Sequence, residues 1–229
     1  QILYNKLIMN KEEIIFKELK KYTKKEFTKA AEKYEGSDAG VYKLCRNDYP
    51  DILAEIAKEV FIDLLDAWCG PAALLQLVSE KFPDKHYVGI DLTSKMIEVA
   101  KKKKIKNAEF IVWDCENLPF ERDSFDIIVC SQSFHHYPNP QDFLNSVQKT
   151  LKPWWKLILR DMSLWKYLWW FVNFVELPIL NLLWYWDVKI YTKSDIQRMC
   201  EKSWLVLESF EYKKRFRLHA IIRKMVKKM

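Results

Sequence analysis

Three aspartates in this 229-residue chain each close a short apolar run: Asp66 in FIDLLDA, Asp91 in HYVGID and Asp114 in AEFIVWD. An ionised carboxylate only accepts, and its two oxygens can take both hydrogen bonds of a cis-diol at once. Asp91 stands 21 residues after Gly70, the spacing at which an acidic residue receives ribose hydroxyls in nucleotide-binding βαβ units. Read singly, each aspartate also suits a helix N-cap; that reading does not account for three on consecutive runs. His135 and His136 follow the run SFDIIVCS, which Ser131 closes. Neutral imidazole is a suitable base near pH 7. The plainer reading packs one ring under the next helix and sets the other against a ligand, with Tyr137 as packing. Adjacent histidines point apart on most backbones and no third ligand is evident, so no metal site is expected.

Open parallel sheets bind ligands outside the carboxyl ends of their strands, where the strand order switches. Such a sheet is what these residues need. From Phe61 onward the runs FIDLLDA, HYVGID, AEFIV, SFDIIVCS and KLILRD alternate with the helical segments PAALLQLVSEKF, SKMIEVAKKKK and PQDFLNSVQKTL. The alternation predicts βαβ units and a parallel sheet covered on both faces. WLVLESFEY and RFRLHAIIRK predict a terminal β-hairpin. Residues 11–35 read as one or two amphipathic helices, GSDAGVYKLCRNDYP as a loop, and DILAEIAKEV as another helix. This divides the chain into a helical extension or lid over 1–58 and a core over 59–229, with a helical insertion at 164–187. Leu164–Trp186 is long and apolar enough for a bilayer, but Lys166, Asn173, Glu176, Pro178 and Asn181 interrupt it, and charge is costly there. A lid over a pocket is the preferred reading. No transmembrane span is expected, and peripheral contact by an interfacial helix stays open.

Hydrophobic residues make up 49% and charged residues 30%, which excludes collagen-like, coiled-coil and disordered classes. The formal charge of +7 could draw nucleic acid or anionic lipid, but the lysines spread over the whole chain as a solvated surface would. Five scattered cysteines without a C-x-x-C argue for a reducing compartment. Gln1–Asn10 offers no small-residue cleavage site, so no signal peptide is expected. The missing initiator Met suggests a fragment or a trimmed start, and the cytoplasm is the expected location.

Residues 61–161 resemble a class I S-adenosylmethionine-dependent methyltransferase of the small-molecule and quinone-type branch. The resemblance rests on LLDAWCGPA, HYVGIDLTSKMIEVAKKK, WDCENLPFERDSFDIIVCSQSFHHY and LKPWWKLILRD, in that order. It implies an α/β fold: a Rossmann-like, doubly wound, mostly parallel seven-stranded sheet with an antiparallel last strand, N-terminal helices and a helical lid insertion. It implies S-adenosyl-L-methionine as cofactor and a small-molecule methyl acceptor as partner. Asp66 with the loop Ala67, Trp68 and Gly70 would hold the methionine part, and Asp91 the ribose hydroxyls. Leu92 and Met96 would line the adenine side. Asp114 would accept from the adenine amino group, with Cys115 giving a backbone contact. Ser131 and His136 would lie beside the sulfonium, with His135 and His136 as the candidate catalytic bases.

The family's first loop reads D-x-G-x-G-x-G, and its three glycine places are here Trp68, Gly70 and Ala72. Glycine lets backbone approach a ligand closely; an indole fills that space, and overpacking alone costs about 1–3 kcal/mol. Trp113, Trp154, Trp155 and Trp204 also stand at family glycine places, and Trp154–Trp155 after Pro153 is poor chemistry for the turn expected there. The chain has 4 Gly and 10 Trp, where about 7% Gly is usual. All ten tryptophans are therefore expected to be glycines in the native protein, from a gene that reads UGA as Gly. The alternative is a genuinely Trp-bearing homologue, a non-catalytic binder with this fold. An RNA methyltransferase is a third reading, from KKKKIK (101–106) and KKRFR (213–217). The first run lies at a helix C-terminus, where cations are favourable anyway, so nucleic acid is the weaker partner expectation. The acceptor is expected to be set by the N-terminal helices and Leu164–Asp187, with Tyr34 and Tyr42 as candidate lid contacts.

Overall fold

A computed structural model describes residues 2–31, 45–164, 170–176 and 189–225. The GSDAG stretch, Tyr34, Tyr42, Trp165, Trp169, Trp184, Trp186 and most of the 164–187 insertion lie outside the described residues. Seven strands form one sheet in the order β3-β2-β1-β4-β5-β7-β6. They are β1 (Asp63–Ala67), β2 (His86–Asp91), β3 (Ala108–Val112), β4 (Phe125–Ser131), β5 (Leu151–Met162), β6 (Leu205–Lys213) and β7 (Arg217–Lys224). The first five pair in parallel. β7 runs antiparallel to both β5 and β6, which is the terminal hairpin. β4 is buried at every position but its last, as a strand covered on both faces must be. The helices are α1 (Ile2–Ala30), α2 (Tyr49–Ile56), α3 (Ala73–Lys81), α4 (Ser94–Lys102), α5 (Pro140–Thr150) and α6 (Lys193–Lys202).

The chain winds from β1 out to β3, then returns to lay β4 on the other side of β1. The strand order therefore switches at β1, and the carboxyl ends of β1, β2 and β4 share one edge of the sheet. α1 is a single helix of 29 residues, and α2 begins at Tyr49 with Pro50 in its first turn, inside the stretch expected to be loop.

The expected turn at Trp154–Trp155 is not a turn. β5 starts at Leu151 and carries both tryptophans as a bulge: Phe125 faces Leu151, but Ile127 faces Lys156. Trp154 absorbs the extra chain in a left-handed conformation, φ 71°.

α2 is pinned to β5 by a charge inside the core. Lys156 Nζ is fully buried and donates to Glu55 Oε1 at 2.7 Å and to the Glu55 carbonyl at 3.0 Å, with Glu59 Oε1 at 3.3 Å. Glu55→Ala should cost about 3 kcal/mol in urea unfolding, the low end for stripping a partner from a buried pair, because Glu59 remains. A loss below the scatter of surface mutants would show that the pair is solvated. The five cysteines are all buried as free thiols. Among the described residues no helix is long and apolar enough to cross a membrane.

Candidate active site

The loop leaving β1 winds through alternate left-handed residues: Trp68 at φ 71°, Gly70 at 54° and Ala72 at 60°. This coil turns the chain sharply enough to aim the Gly70 amide back at β2, where it donates to Asp91 Oδ2 at 3.1 Å. The Cys69 amide donates to the Ile90 carbonyl at 2.7 Å. Asp91 Oδ1 accepts from the Thr93 amide and hydroxyl, both at 2.8 Å. Its carboxylate is thus fixed on both oxygens by its own chain; Oδ1 takes two donors and Oδ2 one, so Oδ2 keeps a lone pair for a ligand.

Asp66 and Asp91, at the ends of neighbouring strands, line one cavity with Trp68, Gly70, Met96 and Ser131. Phe27 of α1, Cys45, Tyr49 and Gln132 also line it. No sequence spacing announces these, because they come from helix packing and from the turn after β4. Burial, then the charge of Asp91, pushes the Asp66 carboxyl up to about 7. Burial pushes Asp91 up to about 6, against the pull of the Thr93 and Gly70 donors. Two buried carboxylates with this poise are built to meet a cation or several hydroxyls.

The cavity encloses only about 40 Å³, far short of the roughly 300–1,000 Å³ of a small-molecule site. The Trp68 indole stands beside Phe27, His136 and Tyr137, with ring centroids 5.8, 6.0 and 5.4 Å away. It fills space along the cavity that a glycine would leave open.

Other residues singled out by sequence fall outside that wall. Asp114 caps the 3-10 turn Cys115–Asn117 through the Glu116 amide and accepts from Lys20 Nζ of α1 at 2.5 Å. Glu116 takes the same ammonium. Ala67 and Cys115 are buried, and Leu92 lies between the strand end and α4. His136 packs against Trp68 and Phe27, which line the cavity.

His135 lies against His136, ring centroids 3.9 Å apart, and is held by a residue sequence reading did not single out. Its Nδ1 pairs with Asp161 Oδ1 at 2.5 Å and its amide donates to Asp161 Oδ2 at 3.1 Å. Both side chains are buried. Asp161 sits near the end of β5, closing KLILRD as Asp66 and Asp91 close their own runs. A carboxylate on Nδ1 fixes the tautomer and the orientation of the ring. Among the described residues no three His, Cys, Asp or Glu side chains group as metal ligands would.

Comparison with known proteins returns one family, described as methyltransferase domain, over residues 61–204. Demethylmenaquinone methyltransferase of Thermotoga maritima is 30% identical over 147 residues, 62% of each chain. Malonyl-[acyl-carrier protein] O-methyltransferase of Priestia megaterium is 32% identical over 135 residues, covering 58% of this chain and 48% of that protein. The match thus spans less than two thirds of either relative's length. Among solved structures, magnesium protoporphyrin IX methyltransferase of Synechocystis, with bound S-adenosylhomocysteine, superposes with a TM-score of 0.69 at 14% identity, covering 90% of this chain and 99% of that one. At that identity the likeness is one of fold.

Proposed function

Because the chain belongs to the class I S-adenosylmethionine-dependent methyltransferase family, we propose that it transfers a methyl group from S-adenosylmethionine to a small-molecule acceptor. The observation that carries the reading is the shared cavity of Asp66 and Asp91 behind a triply left-handed loop. Asp66 with Ala67, position 68 and Gly70 takes the methionine end, and its carboxylate meets the ammonium. Asp91 accepts from the ribose hydroxyls, Met96 and Leu92 flank the adenine, and Ser131 and His136 border the sulfonium. Asp114 and Cys115 reach the adenine edge once Lys20 withdraws from Asp114. The names of the relatives point to quinone-type or carboxylate acceptors. Phe27 of α1 in the cavity wall supports residues 1–58 as the acceptor-facing cover, with 164–187 as a second. Calorimetric titration with S-adenosylmethionine tests the reading: saturable micromolar binding lost in Asp91→Ala supports it, and binding indifferent to that change rejects it.

The reaction is an in-line displacement. The acceptor atom attacks the methyl carbon, the carbon–sulfur bond breaks, and sulfur keeps the pair, leaving S-adenosylhomocysteine. Alignment and exclusion of water supply most of the rate. Where the acceptor carries a proton, His135 Nε2 takes it, and Asp161 steadies the resulting imidazolium.

The raised carboxyl of Asp66 gives this binding a pH signature. Its folded-state value of about 7 lies above its ordinary 3.8. Its contribution to stability is therefore full at low pH and is lost as pH rises through about 7. A ligand ammonium relieves that loss. The thermal stabilisation by S-adenosylmethionine should grow between about pH 5.5 and about pH 8; a flat or falling profile would remove Asp66 from the ammonium site.

The 40 Å³ cavity favours a second reading of the chain with Trp at 68, a methyltransferase fold that does not bind its cosubstrate. The two readings part at that single side chain.

A further inference from the structure

We propose that a cleft between α2 and the β6–β7 hairpin binds a carboxylate or phosphate group of the methyl acceptor; this rests on the methyltransferase reading above. The cleft measures about 500 Å³ and is lined by Asp48, Asp51, Arg160, Lys214, Arg215 and Arg217, among others. Arg160 is 4% exposed. Its Nε and Nη2 lie on Asp48 Oδ1 at 2.9 and 2.8 Å, and Nη2 lies 3.0 Å from Asp51 Oδ2. Its Nη1 is buried with no hydrogen-bond partner. An orphaned guanidinium donor is costly unless something accepts from it. Ser163 Oγ, also buried and unpartnered, lines the adjoining hollow beside Lys214, Arg215 and Arg217. Among the described residues, two of the buried polar atoms without a partner thus belong to side chains that line these neighbouring hollows. Asp48 neutralises part of Arg160 and of Arg217, whose Nε is 3.3 Å from Asp48 Oδ2. Lys214 and Arg215 have no ion pair among the described residues, so the cleft keeps an excess of positive charge. A guanidinium fork with flanking cations is the chemistry that selects carboxylate and phosphate oxygens.

The cleft adjoins the methyl-transfer cavity. Gln132 lines that cavity, donates through Nε2 to Asp48 Oδ2 at 2.6 Å, and through its amide to the Arg160 carbonyl at 2.7 Å. One wall, 45–51 with Gln132, separates the two. An anionic acceptor anchored here would be tied directly to the residues that shape the cosubstrate site.

Titration of the full chain with inorganic phosphate and, separately, malonate tests the proposal and tells the two anions apart. One of them should bind saturably, and Arg217→Gln should weaken it about tenfold, the loss of one charged hydrogen bond. Lys214→Ala/Arg215→Ala, on exposed positions that the fold does not need, should weaken it as well while S-adenosylhomocysteine binding to the same protein stays put. Binding unchanged in both variants, or no saturable binding, overturns the site whatever the cosubstrate result. Salt-dependent capture of an RNA oligonucleotide through these residues, tighter than either small anion, overturns the small-molecule assignment.

A different observation carries a second inference. Among the described residues, tryptophan supplies three of the ten non-glycine residues at positive φ: Trp68 at 71°, Trp154 at 71° and Trp204 at 58°. The left-handed region costs a residue with a Cβ about 1–2 kcal/mol and is the usual place of Gly, Asn and Asp. Trp154 and Trp204 are 59% and 66% exposed, so burial does not hold them there. We infer that these positions are UGA codons that the native host reads as glycine. Peptide mass spectrometry of the protein purified from that host should find Gly at 68, 154 and 204; Trp at any of them overturns the inference.

Discussion

Trp68→Gly is expected to tighten S-adenosylmethionine binding by at least tenfold. The indole stands in the loop between Asp66 and Gly70, packed on Tyr137, Phe27 and His136, and the cavity it borders holds about 40 Å³. Forcing a ligand against such a ring costs about 1–3 kcal/mol in overpacking, and each 1.4 kcal/mol is about tenfold in affinity. The backbone is already in the conformation glycine prefers, so the substitution also removes strain of about 1–2 kcal/mol. Calorimetry on the two proteins measures the effect. Equal affinities would mean that the indole swings clear and that the adenosyl group enters from elsewhere.

His135→Gln should lower kcat by about 10²–10⁴, the usual worth of a positioned base, with little change in S-adenosylmethionine affinity. The assay follows labelled methyl from the cosubstrate to whichever of a panel of phenols, quinols and carboxylic acids turns over. Asp161→Asn acts through the histidine: it should lower kcat less than His135→Gln, because the carboxylate 2.5 Å from Nδ1 no longer steadies the protonated ring. A kcat that is unchanged in His135→Gln would return both histidines to packing roles and leave alignment as the whole of catalysis.

The strand ends were legible because apolar runs and a closing acid are local features. FIDLLDA and HYVGID announce both the sheet and the two carboxylates that line the cavity. Asp161 carries the same signature in KLILRD, yet it serves the histidine instead of the cavity wall, a distinction that only the β4–β5 register makes. Phe27 and Tyr49 could not be read, since their place depends on helix docking across long sequence separations, and Gln132 could not because only the folded turn after β4 turns it to the cavity. The same holds for Lys20, which meets Asp114 from 94 residues away. Trp154–Trp155 misled because a bulge and a turn make the same demand, a left-handed residue, and sequence does not say which will supply it. Trp68 was legible as a problem because it stands at a glycine place of the family's first loop; its φ of 71° shows the physical form of the conflict.

The most direct measurement is a crystal structure of the Trp68→Gly protein with S-adenosylhomocysteine. The ribose hydroxyls should lie within hydrogen-bond distance of Asp91, with the amino-acid end against Asp66 and the loop through Gly70. Nucleoside density at any other edge of the sheet, with Asp66 and Asp91 untouched, would contradict the account.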